Sequence, residues 1–230
     1  MRPFLVPALL SWLIFLTMLE NADICLLSTA YWPPVQWFTK IVSHRQVLIE
    51  QFETFPKQSY RNRCALYGPN CVQTLQVPIL KGDTHNPMTR DIRISYNTPW
   101  QKNHFYTIRS LYKSSPFFDY YVDDILPFYE RRFDFLLDYN RAILEVCLKW
   151  LKMPNNTVLT ADYVHTPDYP DYRNTIHPKT SHQAPDEHFV AQPYTQVFDE
   201  RFGFIPNLSI LDLVMNYGPE AKDLLVSCVR

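Results

Sequence analysis

Seven residues from Lys57 to Arg63, KQSYRNR, carry three cations and no acid. A guanidinium fork grips a phosphate or carboxylate through two parallel hydrogen bonds, and an ammonium adds a point charge. Arg61 or Arg63 can therefore hold an anion bidentately, with Lys57 beside it. The stretch follows an apolar, strand-like run and a proline. Strand ends are where ligand clefts open in α/β sheets. Arg90 and Arg93 extend the patch if their segment lies alongside. The plain alternative is a solvated basic turn.

Two further groups can do chemistry. His104 follows Trp100 by four residues, which is one helical turn on the same face. Near a helix N-terminus the dipole disfavours imidazolium, so His104 is a candidate general base. A histidine on an apolar face also serves as an ordinary core residue. The stretch DYRNTIHPK sets Arg173, His177 and Lys179 near Asp171. A mobile loop with such groups can close over an anion, or simply be solvated. His165, His177, His182 and His188 crowd the same region, but their gaps match no HxxxH or HExxH pattern. No metal is assigned.

The elements that must position these groups follow from periodicity. Ile24–Tyr31 and Gln46–Glu50 are expected strands, with a short amphipathic helix, VQWFTKI, between them. This is a β-α-β start. Leu75–Ile79 and Asp91–Ser95 are further expected strands. Thr98 is the expected N-cap and Pro99 the first residue of a helix to about Lys113. Its inward face is Trp100, His104, Ile108 and Leu111. A longer helix is expected from about Pro127 to Lys152, with Phe133, Leu137, Leu144, Leu148 and Leu151 as its apolar stripe and Cys147 in the core. From Pro154 to Pro193 prolines recur and periodicity fails, so a long irregular segment is expected, with one short strand in TVLTADY. Asn207 precedes a C-terminal helix that Gly218 and Pro219 end, and a last short helix follows. The expected fold is single-domain α/β: a mixed sheet flanked by helices, with the irregular segment before the C-terminal helix.

Composition narrows the function. The chain has 230 residues, 47% of them hydrophobic, which suffices for one sizeable core. The net charge of −1 creates no global field for nucleic acid or an acidic membrane. The four glycines are too scattered for a GxGxxG fingerprint or a P-loop. Phosphate must then be held by Arg, Lys or helix N-termini, and no cofactor is assigned. Five cysteines without a CxxC pair argue for a reducing compartment, hence a cytoplasmic protein. Residues 3–19 carry no charge and approach the roughly 17–25 residues that span a bilayer. They act as a membrane anchor, the one source of membrane contact, or else synthesis starts at Met18 and residues 1–17 are dispensable. The globular domain is placed at 24–230, after a leader at 1–23.

Several separate elements in order resemble the WbqC-like protein family, from about Leu26 to Gly218. They are the helix WFTKI (Trp37–Ile41), then Lys57, Ser59, Asn62 and Arg63 as K-x-S-x-x-N-R, and Trp100 with His104 as W-x-x-x-H. Tyr112, Pro116-Phe117, Tyr194 with Gln196 as Y-x-Q, and LSILDLVMNYG (Leu208–Gly218) follow. The resemblance implies a link to surface-polysaccharide synthesis, of the O-antigen or lipopolysaccharide type, and a role in modifying a sugar. It makes an activated sugar, or another anionic small molecule, the expected ligand. Lys57, Ser59, Asn62, Arg63, Arg93 and Trp100 are then substrate-binding candidates, with Tyr194 and Gln196 orienting the sugar. Acyl or aminoacyl transfer by a transferase is one expectation. A non-catalytic carbohydrate- or partner-binding protein of the envelope is the other. One departure stands out: family members carry His-Gln-Pro where this chain has Leu27, Ser28 and Thr29.

Overall fold

The computed structural model describes residues 23–80, 86–179 and 183–230. The apolar leader, residues 1–22, lies outside them, as does His182. Among the described residues no helix is long and apolar enough to cross a membrane.

The chain opens as β1 (Ile24–Ser28), α1 (Val35–Ser43) and β2 (Gln46–Glu50), and β1 pairs with β2 in parallel from Ile24↔Gln46 to Ser28↔Glu50. The β-α-β start is as expected, since two apolar runs buried on both faces need a crossover helix to lie parallel. β5 (Thr157–Leu159) pairs in parallel with β2, giving the order β1-β2-β5. A separate antiparallel hairpin joins β3 (Arg63–Gly68) to β4 (Cys71–Gln76). The class is α/β, and its parallel and antiparallel pairings fall in two sheets.

Four local expectations change. The run from Leu75 begins inside β4, which ends at Gln76, while β3 went unpredicted because KQSYRNR masks its start. Asp91–Ser95 is no strand: a 3-10 turn (Thr89–Asp91) leads into single bridges, Ile79↔Ile94 and Arg93↔Phe135. The helix α2 (Trp100–Tyr112) takes Pro99 as its N-cap residue, and no side chain caps it. The long helix splits into α4 (Pro127–Glu130) and α5 (Leu136–Trp150), preceded by α3 (Phe118–Ile125). The break at Arg131–Phe135 lets Ile94 N reach Asp134 O at 3.0 Å, so α5 starts beside the extended segment.

After β5 comes the irregular segment, then the short α6 (Asp199–Phe202), α7 (Ile210–Tyr217) and α8 (Ala221–Ser227). The segment is pinned rather than free. Asp171 bridges Leu26 in parallel, and Phe189 bridges Val229. Lys40 on α1, 1% exposed, reaches Asp186 at 2.7 Å and stands over the Tyr172 ring. Ser209, not Asn207, caps α7, accepting from Leu211 N at 3.3 Å. Asn207 instead takes a positive φ and exchanges bonds with Gln36.

Gly218 ends α7 at φ +62° and ψ −136°, a combination open to glycine alone, and a Cβ there would lie 2.5 Å from the Phe117 ring. Gly218→Ala should therefore destabilise by about 2–4 kcal/mol through strain and overpacking. Urea unfolding reads this as a lowered midpoint at unchanged slope.

Candidate functional site

β1 ends in a side chain that meets Arg61 of the basic stretch, and β2 in one that meets Arg173. At the end of β1, Ser28 Oγ donates to Glu53 Oε2 at 3.3 Å. Arg61, 6% exposed, donates from Nε to Glu53 Oε1 at 2.7 Å and from Nη2 to both Glu53 Oε2 and Ser28 Oγ. At the end of β2, Glu50 is wholly buried and accepts from Phe52 N, Val164 N and Thr160 Oγ1 at 2.8 to 3.0 Å. Arg173 lies 3.5 Å from Glu50 and grips Asp171 through Nε and Nη2, at 2.7 Å for the shortest contact. Burial opposes the Arg173 charge, but Asp171 outweighs it and the guanidinium pKa is raised.

Above these pairs a cavity of about 320 Å³ is lined by Pro56, Lys57, Gln58, Arg61, Arg173, Asn174, His177 and Lys179. Lys57 and Lys179 are exposed and carry no ion pair among the described residues. Gln58 holds a positive φ of 60°, which turns the chain at the rim. The two basic stretches, over a hundred residues apart in sequence, thus share one wall. The floor is ion-paired and the rim cationic, so the free charge on offer comes from the lysines.

Other sequence candidates are placed elsewhere. Arg63 opens β3 and does not line this cavity; its Nε is buried without a partner. Arg61 takes the position that four-residue matching assigned to Arg63. Ser59 and Asn62 are buried, Ser59 donating to Pro56 O at 3.3 Å and Asn62 to Val77 O at 2.9 Å. Arg93 is exposed with its guanidinium over the Phe135 ring. Tyr194 and Gln196 turn inward on Asp212. Tyr194 Oη and Gln196 Nε2 donate to Oδ2 at 2.7 and 2.8 Å, and Tyr112 Oη to Oδ1 at 2.9 Å. Burial raises the Asp212 pKa, and the three donors oppose it.

Trp100 and His104 do share the inward face of α2, packed edge to face with ring centres 5.1 Å apart. His104 is 7% exposed and belongs to an aromatic cluster with Tyr31 and Tyr129. Trp32 Nε1 donates to Tyr129 Oη at 2.9 Å, and Tyr129 and Tyr31 bond at 2.8 Å. Tyr31 Oη bonds His104 Nδ1 at 3.0 Å. Burial lowers the His104 pKa to about 4. It lines neither the cationic cavity nor the larger groove described below.

A family model, described as the WbqC-like protein family, matches residues 29–176. The chain belongs to the WbqC-like protein family. The match contains Lys57, Arg61, His104 and Arg173. His177, Lys179, Tyr194 and Gln196 fall beyond it. An uncharacterized protein of Mycobacterium tuberculosis, Rv1507c, is 25% identical over 232 residues, covering 89% of this chain and 98% of its own. No solved structure matches.

Sequence reasoning missed Glu50, Glu53 and Ser28. Glu50 left one trace, an acid that follows the apolar run Val47, Leu48 and Ile49 in the strand. Among the described residues no group of three His, Cys, Asp or Glu is gathered for a metal.

The depressed His104 pKa has a stability consequence. The unfolded ring takes a proton near its ordinary 6.5, the folded ring only near 4. This stability is complete above pH 6.5 and is lost as pH falls toward 4, on the order of 3 kcal/mol in all. His104→Gln should flatten that part of the pH–stability curve in urea titrations.

Proposed function

We propose that this WbqC-like protein binds an activated sugar, or another anionic small molecule, in the cation-lined cavity at the carboxyl ends of β1 and β2. The observation that carries this reading is the convergence of Lys57, Arg61, Arg173, His177 and Lys179 on one cavity of about 320 Å³. Its size suits a phosphate or diphosphate group with part of its substituent. The same two segments also line a groove of about 740 Å³ through Tyr60, Thr175 and Pro178, together with Gln36, Gln183 and Asn207. Amide and hydroxyl groups of this kind hydrogen-bond sugar hydroxyls. Phosphate in the cavity and sugar along the groove is the pose we favour.

The family resemblance extends this to a sugar-modifying transferase of surface-polysaccharide synthesis, by acyl or aminoacyl transfer, in the cytoplasm. The roles of the residues differ from the motif-based expectation. Arg61 and Arg173 form the fixed, ion-paired floor, and Lys57 and Lys179 supply the adjustable charge. A second reading, non-catalytic binding, is favoured by one observation: His104 is buried in the aromatic cluster, away from the cavity.

Calorimetry with a nucleoside-diphosphate sugar and with inorganic phosphate tests the binding. The sugar should bind more tightly, and both affinities should fall with added salt. Replacing Lys57 and Lys179 together with Ala should weaken either ligand by about 0.5–2 kcal/mol and leave the melting temperature unchanged. Salt-independent or unaltered binding removes the cavity from consideration. Turnover of the bound sugar in the presence of a cell extract decides between transferase and binding protein.

A further inference from the structure

The hairpin leaves one strand edge open. Ala65 O accepts from Ser209 N at 2.8 Å, and Tyr67 N donates to Tyr112 Oη at 3.2 Å, so both residues turn these backbone groups away from β4. In the register Ala65 faces Thr74 and Tyr67 faces Val72, which makes these the non-hydrogen-bonded pairs of the ladder. The N–H and C=O groups of Val72 and Thr74 therefore point out of the opposite side of the hairpin. Among the described residues they meet one partner, the Gln73 side chain, whose Nε2 lies 3.5 Å from Thr74 O. Val72, Gln73 and Thr74 are exposed in succession, on both faces of the strand. The other edges are closed or short. Asp171 bridges Leu26 beside β1, Ser209 and Tyr112 cover β3, and β5 is three residues long. Folded proteins blunt an open edge with a charge, a proline or a bulge. β4, CVQTLQ, carries no charge and no proline, and its register runs unbroken from Cys71 to Gln76.

We infer that β4 is a self-association edge, occupied by β4 of a second copy of this chain. Antiparallel pairing about a two-fold axis at Gln73 sets Val72 opposite the partner's Thr74, and Thr74 opposite the partner's Val72. Each pair exchanges two backbone hydrogen bonds, so every outward group of Val72 and Thr74 is satisfied. Exposure fixes the axis: Gln73 is the middle of the exposed run, and beyond Thr74 the strand enters the core at Leu75, which is 4% exposed. An uncharged edge sets no like charges opposite each other when it meets its own copy. The two hairpins then form one sheet in the order β3-β4-β4-β3, isologous and closed as a dimer. The axis stands normal to the sheet, so Ala65 and Val72, which line the groove, stay on the same face in both copies. Both grooves thus open on one side of the dimer. The inference goes beyond the sugar reading and does not rest on it.

Sedimentation velocity on the full chain over a range of concentrations tests it, and should show a monomer–dimer equilibrium. Thr74→Pro removes an outward N–H and no bond of the hairpin ladder, a change that an edge strand accommodates. It should weaken the dimer about tenfold or more, with cooperative melting retained. Val72→Lys sets a cation on the edge of each copy and should weaken it comparably, a second variant should the proline disturb the hairpin. At the axis the two Gln73 residues form a non-hydrogen-bonded pair, with Cα atoms about 4.5 Å apart and within disulfide reach. Gln73→Cys in a Cys71→Ser background should therefore cross-link to a covalent dimer with oxidised glutathione, and Cys71→Ser alone should not. Folded wild type that stays monomeric overturns the inference, as does a dimer that both edge variants leave intact. A dimer that the edge variants weaken but Gln73→Cys does not cross-link overturns the axis. Inorganic phosphate titrated into the same samples reports the cationic cavity separately. Phosphate binding by a monomer sinks this inference alone, and a cross-linked dimer that binds no phosphate sustains it.

Discussion

Arg61 keeps a full positive charge at 6% exposure, and much of the structure is arranged to make that tolerable. A buried guanidinium loses its hydration and must recover it from paired acceptors. Glu53 supplies two oxygens and Ser28 a third. The backbone on either side is also committed. Tyr60 O accepts from Tyr31 N, Arg61 O from Asn140, and Asn62 exchanges bonds with Val77 through its carbonyl and side chain. One short stretch thereby ties β1, the hairpin and α5 together. Its basic composition serves the fold first and the cavity second.

A second buried charge organises the other end of the molecule. Asp212 sits on α7 at 0% exposure and is held by Tyr112, Tyr194 and Gln196. These donors come from α2 and from the segment before α6. Gln196 also pairs with the Ile205 backbone in both directions. Tyrosines that suggest a sugar-facing surface are here the anchors of a carboxylate, because a buried acid needs donors more than solvent does.

The cavities gather where β1 ends, and the local backbone explains why. Parallel strands direct their carboxyl ends to one edge, and the passage from β1 to α1 cannot fill it compactly. Pro33 and Pro34 prevent an early helix start. Trp32 takes a φ of +41°, uncommon for a bulky residue, and is held by stacking on Trp150 and by Ser209 donating to its carbonyl. Such strain persists only where the surroundings over-determine it. The irregular segment closes the same edge through Arg173 and through Lys40 with Asp186.

What the sequence determined by itself was local or periodic. The β-α-β start, the inward face of α2, the failure of periodicity after Pro154 and the role of Gly218 follow from residue spacing and backbone sterics. So does the family, because its elements are short and ordered along the chain. The tertiary structure alone decided which of the polar residues face solvent. Arg61 and Arg63 are indistinguishable as letters, yet one lines the cavity and the other opens a strand. Tyr194, Gln196 and Asn62 look like ligand-binding groups and act as internal donors. Arg173 and Lys57, far apart in sequence, become neighbours only when the irregular segment packs against β1. The physical reason is that a charge or hydrogen-bonding group is assigned its role by its partners. Those partners are long-range contacts, which spacing along the chain does not encode.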